Sequence, residues 1–470
     1  MTTRPTPSRR AAATPSRARA ALAIALLALA GVAHEARAQS TDLMAVLKAA
    51  KETDPTMRSA RYALEMALLK VPEARAALMP TLNLVGNANM TKASTAFADL
   101  PAIDRSGATR SITLQLVQPL FRVDTFLATN QAAAIVQGAQ AQYEQARQEL
   151  LLRVAAAYFA DNEATDVLAD ADAHVTAMEG QLQEVSKGYS AGTRAVTDVD
   201  DTNSRLAAAR AQQIAARGDI ESARSVLQRL TGQRYVRLDA LPDAVALPAP
   251  EPRDVTVWMD RAREGNPQVR ALQASVEVAG WELSRAKSGH LPTLDLVANV
   301  GRNHASHSLT TPDDYSTRAA QREIGLQANI PLFSGGAVVT RVRQAEASLE
   351  KTRADLDAAR RDAADTTQRA FNGVLSQLAQ AEALQVSVGA GERALKGNRE
   401  GFRVGYRTNV DVLNAQQQLF GARSGLTKAR YEAILEGLKL KAAAGILGEP
   451  DLAAIAMLME PAKAGATASR

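Results

Sequence analysis

Short motifs recur along this chain at a nearly constant spacing, which indicates an internal duplication. Three motifs recur with an offset of 212 residues and a pair of glycines with an offset of 213: Asp54-Pro55 and Asn266-Pro267, Pro80-Thr81-Leu82 and Pro292-Thr293-Leu294, Pro119-Leu120-Phe121 and Pro331-Leu332-Phe333, Gly188/Gly192 and Gly401/Gly405. An offset held over this length predicts two copies of one structural unit. We place the first copy at residues 39–252 and the second at residues 253–460.

The two ends of the chain differ in composition from the duplicated part. Residues 1–38 have the pattern of a secretory signal peptide: scattered arginines, an apolar stretch over residues 20–33, and the small-x-small motif Ala36-Arg37-Ala38. This pattern predicts export from the cytoplasm. Residues 461–470 are rich in Ala, Gly and Ser, and we expect them to be disordered.

Charge and residue content exclude several classes of function. The signal peptide holds six Arg and one Glu and so accounts for the whole formal net charge of +5, which leaves no basic surplus for binding nucleic acid. The absence of cysteine excludes disulfides, thiolate metal sites and a lipid-anchored N-terminal Cys. The sequence contains no recognisable nucleophile–base–acid set, so we expect no enzymatic activity, cofactor or metal.

Each copy contains two segments in which apolar and polar residues alternate, as in a strand with two different faces. The predicted strands cover residues 81–90 and 111–118 in the first copy, and 293–301 and 322–330 in the second. Polar loops over about residues 91–110 and 302–321 would join the members of each pair.

A sheet with one polar and one apolar face allows two interpretations. It could be a soluble sheet whose apolar face covers a core. It could also be part of a membrane barrel, with the apolar face against lipid and the polar face lining a lumen. The rest of the chain is long, Ala-rich helix, which offers little to cover a soluble sheet, so the pattern favours the barrel.

A very long helical pattern follows each pair of strands. No proline occurs between Pro119 and Pro242 or between Pro331 and Pro450, and small or apolar residues recur at steps of three and four. Each pattern has one strong break, at its glycine pair. A run of about 60 residues before the break would be about 90 Å long, which suits a tube that spans a wide space.

Four strands cannot close a membrane barrel, because an open edge in lipid leaves unpaired backbone groups that cost several kcal/mol each. Several copies of the chain must therefore pool their strands. Two copies would give a barrel of about eight strands, whose interior is filled by side chains, whereas three copies would give about twelve and leave a channel. The sequence therefore predicts a homotrimer with a tube of bundled helices.

Three motifs of the second copy carry a resemblance to a known family: Gly289-His290-Leu291-Pro292-Thr293-Leu294-Asp295-Leu296, Pro331-Leu332-Phe333-Ser334-Gly335-Gly336, and Gly405-Tyr406-Arg407-Thr408-Asn409-Val410-Asp411-Val412-Leu413-Asn414-Ala415. Together with the order of elements, they resemble the TolC family of outer-membrane channel-tunnels. The resemblance implies a mainly α-helical fold with a membrane β-barrel. The barrel would have twelve strands from three chains, above a coiled-coil tunnel in the periplasm. It also implies a periplasmic adaptor and an inner-membrane ABC or proton-driven transporter as partners.

The resemblance places the tunnel entrance at the glycine breaks. In the family the tunnel narrows at two acidic positions, which match Asp411 and Asn414 here. One of two carboxylate rings is therefore missing, and we expect weaker cation binding. The alternative is that Asp411 and Asp198 only cap the helices that follow the breaks.

Contacts between the two breaks hold the family's tunnel closed. The matching residues are Phe402 and Arg407 on one break, and Thr197 and Asp198 on the other. Arg407 can donate hydrogen bonds to Thr197 or Asp198, but Phe402 replaces a Tyr and lacks its hydroxyl. We therefore expect a gate that depends mainly on Arg407 and is looser than usual.

The glycine breaks are also the most remote part of the tube. Gly188, Gly192, Gly401 and Gly405 are therefore candidates for docking the hairpin tips of the adaptor, although plain turn geometry explains these glycines equally well.

The leading functional hypothesis is a passive exit duct in the outer membrane. Its cargo would be either a protein such as a toxin, through type I secretion, or small molecules, through multidrug efflux. The missing lipidation Cys favours a protein, because many drug-efflux relatives are lipoproteins. A hypothesis of another class is a periplasmic coiled-coil scaffold or adaptor without a barrel, which would contain similar helices.

Overall fold

The computed structural model describes residues 41–96, 101–242, 245–306 and 315–461. The predicted signal peptide lies outside the described residues, as does the predicted tail after Pro461. The first half of the chain contains α1 (Leu43–Thr53), α2 (Pro55–Leu68), α3 (Lys70–Ala76), β1 (Thr81–Thr95), β2 (Ile103–Phe121), α4 (Val123–Ser190) and α5 (Val196–Thr231). The second half contains α6 (Val255–Gly265), α7 (Pro267–Ser288), β3 (Thr293–Ala305), β4 (Thr317–Asn329), α8 (Ala337–Arg403), α9 (Asn409–Ala443) and α10 (Glu449–Ala456).

The recurrent Asp-Pro and Asn-Pro motifs begin equivalent helices. The Asp54 side chain accepts a hydrogen bond from the Met57 backbone N–H at 3.3 Å at the start of α2, and Asn266 accepts one from the Gln268 N–H at 2.9 Å at the start of α7. In each case a proline occupies the first turn, where its missing N–H costs nothing and its fixed φ suits a helix.

The four strands form one antiparallel sheet in the order β1–β2–β3–β4. All four predicted strands are confirmed, but the predicted loops were too long, because β2 already begins at Ile103 and β3 continues to Ala305. Polar residues occupy both faces in these extensions, for example at Thr91 and Lys92, so the alternation that marks a strand is lost there.

The register aligns residues of one kind across the whole sheet. Two neighbouring rows show this, one apolar and one polar: Leu82–Leu116–Ala298–Ile324 and Asn83–Gln115–Asn299–Glu323. Leu82 is 63% exposed and Ile324 is 75% exposed, so the protomer does not cover the apolar face. This arrangement contradicts the soluble-sheet interpretation, in which that face would cover a core.

An ion pair at the helical end of the sheet ties β3 to the start of α4. Arg122 donates from Nε to one carboxylate oxygen of Asp295 at 2.9 Å and from Nη2 to the other at 2.6 Å. Asp295 is largely buried, and such two-point contacts between a guanidinium and a carboxylate fix orientation as well as distance.

The long helices exceed their predicted length. Helix α4 has 68 residues and α8 has 67, which corresponds to about 100 Å at a rise of about 1.5 Å per residue. Helix α4 packs against α5, α7 and α9, and α8 packs against α6, α7 and α9. In the part of the chain that the structure describes, no helix has both the length and the apolar character needed to cross a membrane.

The largest apolar core lies near the middle of α4, where α1, α9 and α10 meet it. Tyr158 donates its hydroxyl at 3.1 Å to both the Thr41 and Asp239 carbonyl oxygens, and the Phe159 ring lies 5.9 Å from the Tyr431 ring. The core thereby holds both ends of the described chain against the middle of α4. The two glycine breaks lie at the ends of α4 and α8, away from this core.

Candidate functional site

The two glycine breaks form tight turns with the same backbone pattern. The first turn (residues 191–195) joins α4 to α5, and the second turn (residues 404–408) joins α8 to α9. In the first turn the Thr193 N–H donates to the Gly188 carbonyl at 2.9 Å, and in the second the Tyr406 N–H donates to the Gly401 carbonyl at 2.8 Å. The duplicated sequence therefore folds into duplicated turns.

Each turn requires its two glycines for steric reasons. Gly192 and Gly405 have φ values of +74° and +82°, in the left-handed region that disfavours side chains. A Cβ on Gly188 or Gly401 would lie only 2.5 or 2.7 Å from the Cγ of the arginine six residues later. Turn geometry, the alternative raised from the sequence, therefore accounts for all four glycines, and adaptor docking stays a prediction.

Arg194 joins the first turn to the second. Its Nη2 donates to the Phe402 carbonyl oxygen at 3.0 Å, and its guanidinium carbon lies 3.8 Å from the centre of the Phe402 ring. That distance places the cation on the aromatic face. Phe402 itself is buried between Val185 and Val412. Sequence reasoning missed Arg194, although its equivalence to Arg407, 213 residues later, was the available signal.

The predicted Arg407 contact is not made within the protomer. Arg407 and Thr197 are both exposed, and no hydrogen bond joins the Arg407 side chain to Thr197 or Asp198, all three of which are described. A contact of Arg407 with a neighbouring copy therefore stays a prediction. The missing hydroxyl of Phe402 has a partial substitute, because this residue interacts with Arg194 instead.

Asp411 forms a capping box at the start of α9. Its carboxylate accepts from the Thr408 N–H and from the Thr408 hydroxyl, both at 2.9 Å. These two hydrogen bonds, with a further contribution from the positive charge of Arg407, hold the pKa of Asp411 below its usual value. Asp198 has no such role, because Ala195 stands at the capping position of α5. The capping alternative therefore applies to Asp411 alone.

Asn414 is bound by a cation from the other half of the chain. The Arg205 Nη2 on α5 donates to the Asn414 side-chain oxygen at 2.9 Å. The second acidic position of the family thus holds a neutral amide beside a positive charge. The sequence predicted the lost carboxylate, but not the arginine that accompanies it.

A buried hydrogen-bond network centred on Asn409 connects three helices behind the turns. Its side-chain oxygen accepts from Gln181 of α4 at 2.9 Å. Its amide donates to the Thr202 hydroxyl of α5 at 2.9 Å and to the Asp198 carbonyl at 3.1 Å. Because the side chains of Gln181, Thr202 and Asn409 are buried, these bonds hold the two turns at a defined separation.

Comparison with known proteins agrees with this architecture. The model of a family described as outer membrane efflux protein matches residues 46–233 and 258–446. The outer membrane protein TolC of Escherichia coli strain K12 is 31% identical over 427 residues, covering 89% of this chain and 85% of that protein. The proteases secretion protein PrtF of Dickeya chrysanthemi is 29% identical over 456 residues, covering 95% and 96%.

Solved structures show the same fold. The outer-membrane channel OprN superposes with a TM-score of 0.74 over 88% of this chain and 94% of that chain, at 18% sequence identity. The uncovered apolar face of the sheet and the two long helices thus belong to a fold that solved outer-membrane channels share.

Proposed function

Because the chain belongs to the outer membrane efflux protein family and is an outer-membrane exit duct, we propose that three copies assemble into a conduit for secreted polypeptide. A transporter of the inner membrane supplies the energy, and a periplasmic adaptor connects the transporter to the turns at the far end of the helices. The duct itself is passive.

The open sheet carries the argument for three copies. Strands β1 and β4 are its outer strands, and all backbone groups that face lipid must be paired. Pairing β4 of one copy with β1 of the next extends the apolar and polar rows around a closed wall. Three copies give about twelve strands, which is wide enough for a lumen, and the row that contains Asn83 and Glu323 lines it.

Polypeptide cargo is supported by the PrtF relative, which matches this chain almost from end to end and is named for the secretion of proteases. Small molecules are the second candidate, since the matching family is described by efflux. A lumen lined mostly by amide side chains such as Asn83 and Gln115 suits an extended polypeptide, whose backbone needs hydrogen-bonding surroundings.

The duplication supports a gate that repeats six times around the trimer. If residues 39–252 and 253–460 are equivalent units, Arg194 corresponds to Arg407, and Tyr189 corresponds to Phe402. Within the protomer Arg194 lies on the Phe402 ring. Turns that alternate around a ring bring Arg407 onto the Tyr189 ring of the neighbouring copy in the same way, beside Thr197. Arg407 and Tyr189 are both exposed in the protomer, as this contact requires.

The remaining entrance residues act through charge. The Asp411 carboxylates of three copies form one negative ring, whereas the Asn414 position adds the positive charge of Arg205. The entrance therefore binds cations less tightly than one with two acidic rings would.

Adaptor docking at the turns is supported by the exposed apolar side chains of the second turn. Tyr406 is 90% exposed at the tip of the second turn, and Val404 beside it is also exposed. A Cβ on Gly192 or Gly405 would meet no atom within 4 Å, so the backbone there is open to a partner. Exposed aromatic side chains of this kind are typical anchors of protein interfaces.

Complementation tests the cargo. A Dickeya chrysanthemi strain without PrtF, but with its own transporter and adaptor, would express this chain, and secreted protease would be measured in the medium. We expect protease export to return. A matched strain without a drug-efflux duct would be scored for drug resistance; resistance without protease export would assign small molecules instead.

Fractionation tests the duct itself. We expect the chain in the outer membrane, as an oligomer that dissociates only on heating. A soluble periplasmic monomer in the same cells would contradict the channel and favour a coiled-coil scaffold.

A further inference from the structure

Positive charge gathers at one end of the apolar face of the sheet. His304 pairs with Arg110 on one side and with Arg318 on the other, and Arg302 and Arg322 share their face two and four residues away. We call these five residues the basic patch. All of its arginines are exposed.

The basic patch lies at the end of the sheet away from the helices. Along β3, the outward face is apolar from Leu294 to Val300 and changes to Arg302 and His304. From Leu294 to Arg302 is about 26 Å along the strand, or about 20 Å along the membrane normal at a tilt of about 40°. The patch therefore sits at the extracellular rim of an apolar band that is about 25 Å tall in such barrels.

The described part of the sheet holds no ion-pair partner for these arginines. Among the residues that the structure describes, none of the four arginines takes part in a salt bridge. The Nδ1 atom of His304 is buried and has no hydrogen-bond partner there. An arginine on the lipid side is costly at the bilayer midplane and nearly free of cost at the interface. Such residues therefore belong at the level of anionic headgroups.

We propose that the basic patch binds the phosphate groups of a phosphorylated glycolipid in the outer leaflet. Guanidinium groups hold phosphate through paired, charge-assisted hydrogen bonds, and the patch offers four of them on three adjacent strands. The inference rests on the outer-membrane location and on the faces of the sheet, and is independent of the cargo.

The first strand pair repeats the patch only in part. At an offset of 212, the positions of Arg302 and Arg318 hold Met90 and Ser106, whereas those of His304 and Arg322 hold Lys92 and Arg110. The complete patch, which also includes Arg110 of β2, therefore occurs once in each copy and three times in a trimer.

The test compares a patch variant with a matched control. The patch variant is Arg302→Gln/Arg318→Gln/Arg322→Gln, and the control, with the same change of charge on helix α8, is Arg343→Gln/Arg360→Gln/Arg399→Gln. Purified trimers would be placed in phosphatidylcholine nanodiscs with either bisphosphorylated lipid A or its dephosphorylated form. Lipid retained by each trimer would be counted by native mass spectrometry.

We expect the wild-type chain and the control to retain the bisphosphorylated lipid about tenfold better than the dephosphorylated one, and the patch variant to lose this preference. An unchanged preference in the patch variant would overturn the proposal. Displacement by inorganic phosphate at matched concentration would reassign the site to free phosphate. If the triple variant fails to form trimers that dissociate on heating, the single variant Arg302→Gln is tested instead. Its retention of bisphosphorylated over dephosphorylated lipid A is then compared with that of the wild type.

Discussion

The guanidinium carbon of Arg194 lies 3.8 Å from the centre of the Phe402 ring, and the same side chain donates to the Phe402 carbonyl oxygen at 3.0 Å. One residue therefore covers the last buried ring of α8 and satisfies a carbonyl group at its end. Because the two residues come from different halves of the chain, this contact fixes the distance between the first turn and the second turn.

Arg194→Ala should loosen the entrance. The change removes a hydrogen bond and a cation–π contact, together worth about 1–3 kcal/mol, so open states become more populated. Single-channel conductance in planar bilayers should rise. Arg194→Lys keeps the charge but not the planar guanidinium. Its conductance should therefore lie between that of the wild type and that of Arg194→Ala. Equal conductance in all three proteins would show that this contact does not restrain the turns.

Arg407 and Tyr189 should behave as one unit in the trimer. Arg407→Ala and Tyr189→Ala should each raise conductance, and the double variant should add little to either, because both changes remove one contact. Tyr189→Phe keeps the ring and should resemble wild type, as Phe402 does at the equivalent position. Tyr406→Ala is the control on the exposed tip. Fully additive effects of the first two changes would exclude contact between them.

The charge of Asp411 should control cation selectivity down to low pH. Its pKa lies below the usual 3.8, so the carboxylate and its hydrogen bonds to Thr408 persist above that pH and are lost as pH falls through the lowered value. Reversal potentials in a KCl gradient should show cation selectivity from neutral pH down through the usual range of carboxyl pKa values, and a fall in selectivity only at lower pH. Asp411→Asn should be less selective throughout, without this transition. A transition kept in Asp411→Asn would assign it to another group.

Asn409→Val should destabilise the end of the helix bundle. The equivalent position in the first half is Val196, so valine fits the helix. Here, however, valine leaves the buried Gln181 amide without its partner, and the Thr202 hydroxyl keeps only its bond to the Asp198 carbonyl. The expected cost is about 1–3 kcal/mol, seen as a lower midpoint of thermal unfolding and faster proteolysis near the turns. The neighbouring change Val410→Ala, on an exposed side chain, should have little effect. Equal unfolding midpoints in Asn409→Val and the wild type would mean that water molecules replace the hydrogen bonds of the Asn409 side chain.

The parts of this fold that depend on local pattern were predictable. Strand β3 alternates clearly from Leu294 to Val300, and the absence of proline after Pro331 predicts the length of α8. Strand ends were missed, because both Thr91 and Lys92 are polar and alternation vanishes where lipid no longer faces the sheet.

The candidate site was predictable only in outline. The glycines predict where the turns lie, since a side chain at these positions would strain the backbone or clash with an arginine. The contact of Arg194 with Phe402 joins positions 208 residues apart, and no local pattern encodes such a distance. The burial of Asn409 likewise depends on how α4, α5 and α9 pack together, so its network appears only in three dimensions.

The aligned rows of the sheet restrict how the length of this chain can change in evolution. Leu82 and Leu116 share a row, and Asn83 and Gln115 share the next. A single-residue insertion within a strand would turn every later side chain to the opposite face, placing amides in lipid and leucines in water. Insertions and deletions are therefore tolerated mainly beyond the strand ends. The length of the segments between the strands can then change while the wall of the barrel stays the same.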